Sequence, residues 1–227
     1  EYRNSQSYDL VATALLSGQV KGALGNRNIS TIDTSRLDQA IEQGDSVRNK
    51  TSVLKSILNS AKFVVNCRVL LRKQKWKELD AAFQDIGYNL DSIWEKAHPE
   101  LSSMLEELND QKINAQLLVG LDDGAVTGSV GSLHLADVNS QVLQSAVEAG
   151  EKLRAISFNT GRVLESAKKI LSMRQCINRE MWDTLKMSVD STDENGLSPR
   201  KAAIEFNLIK YELIYREAIE GMEVALA

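Results

Sequence analysis

Apolar residues recur at steps of three and four along most of the chain, which is the spacing of an amphipathic helix. Proline in a first turn favours two long helices, which begin near residues 98 and 199, because its ring presets the helical φ. A strand signal is confined to a few residues within 133–138. The pattern predicts an all-α fold, with helices over residues 5–17, from about 35, from about 52, and over 75–86, 98–123 and 199–227.

A shift of 106 residues superimposes the first half of the chain on the second. The glycine-containing stretch GALGNRNISTIDTSRL, residues 22–37, falls on GSVGSLHLADVNSQVL, residues 128–143, and the register holds without a gap to Leu79 and Leu185. Such periodicity is typical of repeat architectures. Identical pairs include Leu15 and Leu121, Gly18 and Gly124, Gly22 and Gly128, Gly25 and Gly131, Arg68 and Arg174, and Trp76 and Trp182.

These matches predict two tandem helical repeats with glycine-rich loops, over residues 1–106 and 107–211. Glu212-Leu213 resembles Glu107-Leu108, so residues 212–227 are predicted to be the opening helix of a third repeat. A repeat that cannot bury its apolar faces alone stacks on its neighbours. We therefore expect an elongated array, and we expect this chain to be a segment of a longer protein.

The repeat length, the helicity and the tryptophan resemble spectrin-type repeats and, more broadly, the repeats of large eukaryotic scaffold and cytoskeletal proteins. The glycine loop after each first helix and the late position of Trp76 and Trp182 depart from the spectrin pattern, so the likeness is one of period. The resemblance implies a structural role. From their recurrence in both halves, we expect the glycines to shape the loops and Trp76 and Trp182 each to pack its own repeat.

Composition fits a globular protein, with 43% hydrophobic and 26% charged residues. The net charge of −4 is not that of a nucleic-acid-binding protein. No apolar run reaches the roughly 18 residues of a membrane span. Cys67 and Cys176 lie in apolar helical patterns and are predicted to be buried reduced thiols. We therefore expect a cytoplasmic protein with protein partners, and a cytoskeletal association would suit a scaffold.

The glycine loops lack the strand and the Gly-Lys-Ser/Thr sequence that phosphate-binding loops need. We expect Gly18, Gly22, Gly25, Gly124, Gly128 and Gly131 to permit tight turns instead. Asp33 becomes Asn139 in the second copy, which favours helix capping over catalysis. No residues show nucleophile or metal-ligand spacing, so we expect no catalytic residue, cofactor or metal site; an enzyme fragment with its active site elsewhere is the third hypothesis.

One basic segment, AKFVVNCRVLLRKQKWKEL over residues 61–79, offers an alternative function. A basic amphipathic helix with bulky anchors suits a calmodulin- or centrin-like Ca²⁺ sensor. The corresponding segment 167–185 replaces Phe63 by Lys169 but keeps the tryptophan, which favours packing. The first hypothesis is therefore a non-enzymatic scaffold, and the alternative is a sensor-binding module. The candidate partner-binding residues are Phe63, Arg68, Arg72, Lys73, Trp76 and Lys77.

Overall fold

The computed structural model describes residues 2–226, and over that range the fold is all-α apart from one small hairpin. The hairpin pairs β1 (Gly128–Ser129) with β2 (Ser132–Leu133) antiparallel, so that only Leu133 of the predicted residues 133–138 lies in a strand. The helices are α1 (Tyr2–Leu15), α2 (Ser35–Asp45), α3 (Ser52–Arg72), α4 (Trp76–Asp85), α5 (His98–Asp122), α6 (Gln141–Glu151), α7 (Phe158–Asn178), α8 (Trp182–Asp190) and α9 (Arg200–Leu226).

The chain divides into two compact units between Asn109 and Asp110, a point that lies within α5. Unit 1 contains α1 to α4 and the first half of α5. Unit 2 contains the second half of α5 and α6 to α9. Each unit has its own apolar core, in which aliphatic side chains predominate as the low aromatic content requires.

Side chains at corresponding positions begin the helices of both units. Thr51 accepts a hydrogen bond from Leu54 N at 3.2 Å at the start of α3, and Ser157 accepts one from Thr160 N at 3.2 Å at the start of α7. Ahead of α2, Asp33 Oδ1 accepts from the amide and the hydroxyl of Ser35, at 2.9 and 2.7 Å. These bonds hold the pKa of the exposed Asp33 carboxyl below its ordinary value. Asp33 therefore binds the first residue of α2 in an Asx turn, and Thr34, which occupies the N-cap position, makes no side-chain capping bond.

The basic segment 61–79 is not one helix. Helix α3 ends at Arg72 and α4 begins at Trp76, with Gln74 between them in the left-handed region at φ 53°. Gln74 N donates to Leu71 O, and Lys75 N donates to Leu70 O, the two bonds that close a helix with a left-handed residue. The expectation of a continuous amphipathic helix over 61–79 is therefore corrected. In the described part of the chain, no helix combines the length and the apolar character needed to cross a membrane.

Candidate functional site

A buried arginine on α3 joins three segments of unit 1. The Nε and Nη2 atoms of Arg68 donate to the two carboxylate oxygens of Glu100, on α5, at 2.9 and 3.0 Å. Nη2 also donates to Leu15 O, the last carbonyl of α1, at 2.9 Å. Glu100 accepts a further hydrogen bond from Val20 N, in the glycine loop, at 3.0 Å. One ion pair thus fixes a helix end, the loop and the long helix together.

A second glutamate on α5, seven residues later, holds the far side of the same loop. Glu107 Oε2 accepts from Gly25 N and from Arg27 Nε, both at 3.2 Å. Glu100 and Glu107 are two turns apart and therefore share a helix face. We call Arg68, Glu100 and Glu107 the Arg68 cluster; all three side chains are buried.

Unit 2 contains the same arrangement. Arg174, on α7, donates through Nε and Nη2 to Glu205, on α9, at 2.7 and 2.9 Å, and through Nη2 to Leu121 O at 2.8 Å. Glu205 accepts from Val126 N at 3.1 Å. We call Arg174, Glu205 and Glu212 the Arg174 cluster.

The second glutamate of this cluster also binds a loop glycine. Glu212 Oε2 accepts from Gly131 N at 2.7 Å, and its other oxygen accepts from Arg216 Nε, on α9 itself, at 3.0 Å. In unit 1 the corresponding cation, Arg27, comes from the loop. Both units therefore share the hydrogen bond from a loop glycine to the second glutamate, but the arginine beside that glutamate comes from a different segment in each unit.

The loop glycines adopt closely matching backbone conformations in the two units. Gly18 and Gly124 pass so near the next loop segment that a Cβ would lie 2.3 Å from Asp33 O and 2.4 Å from Asn139 O. A side chain would displace the segment leading into α2 or α6. The φ angles are +64°, +106° and +79° at Gly18, Gly22 and Gly25, and +62°, +109° and +82° at Gly124, Gly128 and Gly131.

In each cluster the arginine pairs with the first glutamate below the surface, whereas the second glutamate pairs with Arg27 or Arg216 from outside the cluster. The arrangement therefore ties a loop to two helices. Beside Arg68 in unit 1, burial raises the pKa of the Cys67 thiol to about 12, and the Glu100 carboxylate adds to the shift. The thiol stays protonated at neutral pH. Cys67 and Cys176 are both buried and free, as the sequence predicted.

The residues considered for partner binding lie in different surroundings. Arg68 is fully buried in its cluster, and Phe63 packs edge-to-face on Phe83 with ring centroids 5.9 Å apart. Arg72 donates to Ile32 O at 3.3 Å. Lys73 and Lys77 are exposed. The segment therefore presents lysines to solvent, whereas Arg68 and Phe63 pack inside unit 1.

The two tryptophans each begin a short helix, Trp76 in α4 and Trp182 in α8. Both are half-buried against the core of their own unit. The Arg216 guanidinium also covers the Trp182 ring, 4.1 Å from its centroid. The buried residues of the short helices are instead Leu79 and Phe83 in α4, and Leu185 and Val189 in α8.

Sequence reasoning missed the roles of the glutamates and of one further pair. Glu100 and Glu205 are 105 residues apart, so the 106-residue shift does not align them. Asn4 and Asp110 do fit that shift but differ in type. Asn4 Oδ1 accepts from Thr51 N at 3.0 Å, and Asp110 Oδ1 accepts from Ser157 N at 2.8 Å, so each holds the residue that caps the third helix of its unit.

Unit 2 also has an apolar groove of about 670 Å³ between α5 and α6, lined in part by Ala115, Val119 and Val142. The corresponding residues of unit 1 are Asp9, Thr13 and Arg36. Within residues 2–226, no three His, Cys, Asp or Glu side chains are grouped as metal ligands would be. Comparison with protein-family models gives no match, and comparisons with curated proteins and with solved structures give no significant one.

Proposed function

We propose that the chain is a non-enzymatic structural segment, built from tandem helical repeats over residues 1–106 and 107–211, that spaces or assembles other parts of a larger protein. The observation that carries the proposal is the pair of clusters: each unit binds its glycine loop to its long last helix through a buried Arg–Glu pair. Such internal closure serves mechanical integrity.

Helix α5 supports the tandem arrangement. It carries Glu100 and Glu107, which close unit 1, and also Asp110, Leu117 and Leu121, which belong to unit 2. One helix therefore supplies the end of one repeat and the beginning of the next. Stacked repeats of this kind act as nearly one-dimensional elements whose units open singly, which suits a spacer or scaffold.

Pulling the chain from its two ends tests the mechanical role. We expect two unfolding steps of similar length, each releasing roughly 350 Å of contour at about 3.5 Å per residue. Arg174→Ala should lower the force of one step and leave the other unchanged. A single step for the whole chain would contradict the proposal. Small-angle scattering separately tests the elongated array, which a compact particle would contradict.

Docking of a calmodulin- or centrin-like sensor on residues 61–79 would require α3 to leave the core, because Arg68 is buried and Phe63 packs on Phe83. We expect calorimetric titration of the folded chain with Ca²⁺-loaded calmodulin to show no binding. Ca²⁺-dependent binding that Lys73→Glu and Lys77→Glu abolish would instead favour the sensor-binding function.

A further inference from the structure

The last half of α9 carries apolar residues in the register of a buried first helix. Residues 213–226 align without a gap with residues 2–15 of α1 and with 108–121 of α5. At one aligned position Val11 and Leu117 are both 0% exposed, whereas Met222 is 58% exposed. The side-chain type is kept, but its burial is not.

The last turn of α9 shows the same contrast between an exposed residue and its buried counterparts in α1 and α5. Leu15 and Leu121 are 1% and 2% exposed, whereas Leu226, at the same position, is 89% exposed. Burying a leucine side chain is favourable relative to leaving it in water. An apolar residue left exposed at two positions that are buried in both other copies marks a face that lacks its covering partner.

A small residue next to these positions indicates what that partner is. In α5 it is Gly120, where a Cβ would lie 2.7 Å from the Cα of Leu143, on α6. The corresponding residue of α1 is Ala14, which is buried, and that of α9 is Ala225. All three helices thus keep a small residue at the position where, in unit 2, the α6 backbone lies close to α5.

The same pair of helices covers this face in both units. Helix α1 packs against α2 and α3. In unit 2, Ile113, Leu117 and Leu121 of α5 share one core cluster with side chains of α6 and α7. Two residues of α9 depart from the pattern: Tyr215 and Glu223 stand where α1 has the half-buried Asn4 and Ala12.

We propose that residues 213–226 are the first helix of a third unit, and that their exposed face receives the second and third helices of that unit, as α2 and α3 cover α1. This inference rests on the tandem repeats proposed above. The surface is therefore a docking site for another repeat of the same kind, in series with the two described here.

A helix graft in the full chain tests the inference. Residues 213–226, carrying Tyr215→Asn and Glu223→Ala, replace residues 2–15, which are equal in number. We expect the grafted helix to close unit 1, so that amide exchange at Val20 stays within about threefold of the unaltered chain. The matched control adds Met222→Glu and Leu226→Glu to the graft. It should raise that exchange rate at least about 100-fold, because two unpaired carboxylates would be buried.

Equal loss of protection in both grafts would overturn the inference, since the face would then have no affinity for an α2–α3 pair. Sedimentation of the unaltered chain supplies a second measurement. We expect a monomer, and a dimer that Met222→Glu abolishes would assign the face to a second copy instead. A graft that succeeds while the pulling experiment shows a single step would reject the mechanical function alone.

Discussion

Units 1 and 2 bury an arginine at corresponding positions, but the two guanidinium groups differ in how many hydrogen bonds they make. In unit 2, Nη1 of Arg174 donates to Gly120 O, Asp123 O and Asn139 O, at 3.1, 2.7 and 3.0 Å. In unit 1, Nη1 of Arg68 is buried and has no hydrogen-bond partner among the described residues. A buried donor without a partner costs about 1–3 kcal/mol, so the Arg68 cluster is the weaker of the two.

One side chain bears on one of the three hydrogen bonds that Arg68 Nη1 lacks. Ser17 Oγ donates to Ala14 O at 2.8 Å, and Ala14 O corresponds to the Gly120 carbonyl that Arg174 binds. Unit 2 has Asp123 in place of Ser17, and an ionised aspartate has no proton to donate. The local strength of a repeated ion pair therefore depends on neighbours that a repeat pattern need not preserve.

The largest expected effect comes from removing each arginine. We expect Arg174→Ala to lower the free energy of unfolding of unit 2 by about 5 kcal/mol and Arg68→Ala to lower that of unit 1 by about 3 kcal/mol, because each leaves a buried carboxylate unpaired. Urea titration followed by amide exchange in each unit measures both. Lys75→Gln, which removes only the exposed Lys75–Glu78 pair, is the control and should cost less than about 0.5 kcal/mol. Equal losses in the free energy of unfolding for Arg174→Ala and Arg68→Ala would contradict the expectation that the Arg174 cluster is the stronger one.

The residues that hold the third helix should show the next largest effect. Buried Asp110 accepts hydrogen bonds from Ser157 N, Ser157 Oγ and Thr160 Oγ1, whereas half-buried Asn4 accepts one from Thr51 N. We expect Asp110→Ala to lower the stability of unit 2 by about 3 kcal/mol and Asn4→Ala to lower that of unit 1 by about 1 kcal/mol. Denaturant midpoints measured unit by unit give the comparison, and a larger cost at Asn4 would contradict it.

Ser17→Ala should narrow the difference between the two clusters. With the hydroxyl gone, the Ala14 carbonyl is free to accept from Arg68 Nη1, as Gly120 O accepts from Arg174. We expect unit 1 to gain about 0.5–1 kcal/mol. Thermal unfolding of the variant checks this, and a loss of stability would show that the serine bond matters more than the vacant guanidinium donor.

The smallest expected effects lie at positions where the units agree. Gln74 and Glu180 hold matching left-handed conformations, φ 53° and 55°, at the ends of α3 and α7. Glycine adopts this conformation without the Cβ strain of other residues. Gln74→Gly and Glu180→Gly should each stabilise their unit by about 0.5 kcal/mol. Unequal signs for the two substitutions, measured as shifts in the unfolding midpoint, would contradict the equivalence of these turns.

Hydrophobic periodicity, with the prolines, predicted α1 to α5 and α9 to within a few residues, and the 106-residue shift implied α6 to α8. A separate helix from residue 75 was predicted, but the left-handed conformation of Gln74 that ends α3 was not. A left-handed glutamine has no sequence signature, and it is fixed by the two backbone hydrogen bonds that close α3. The mostly helical character of the chain is confirmed, while its partners and location stay predictions.

The polar clusters were only partly predictable. The 106-residue shift matched Arg68 to Arg174, but solvent-exposed and buried arginines look alike in a sequence. The shift does not align Glu100 with Glu205, because the stretch from Trp76 to Glu100 is one residue longer than the stretch from Trp182 to Glu205. Burial of a charge depends on a partner brought in by tertiary folding, which no local pattern specifies.

Residue-resolved amide exchange of the unaltered chain measures whether glutamates of the long helices hold both glycine loops through backbone amides. We predict that Val20, Gly25, Val126 and Gly131 exchange as slowly as amides within the helices, with the loop of unit 2 the more protected. Exchange of these four amides at the rate of an open loop would contradict the account.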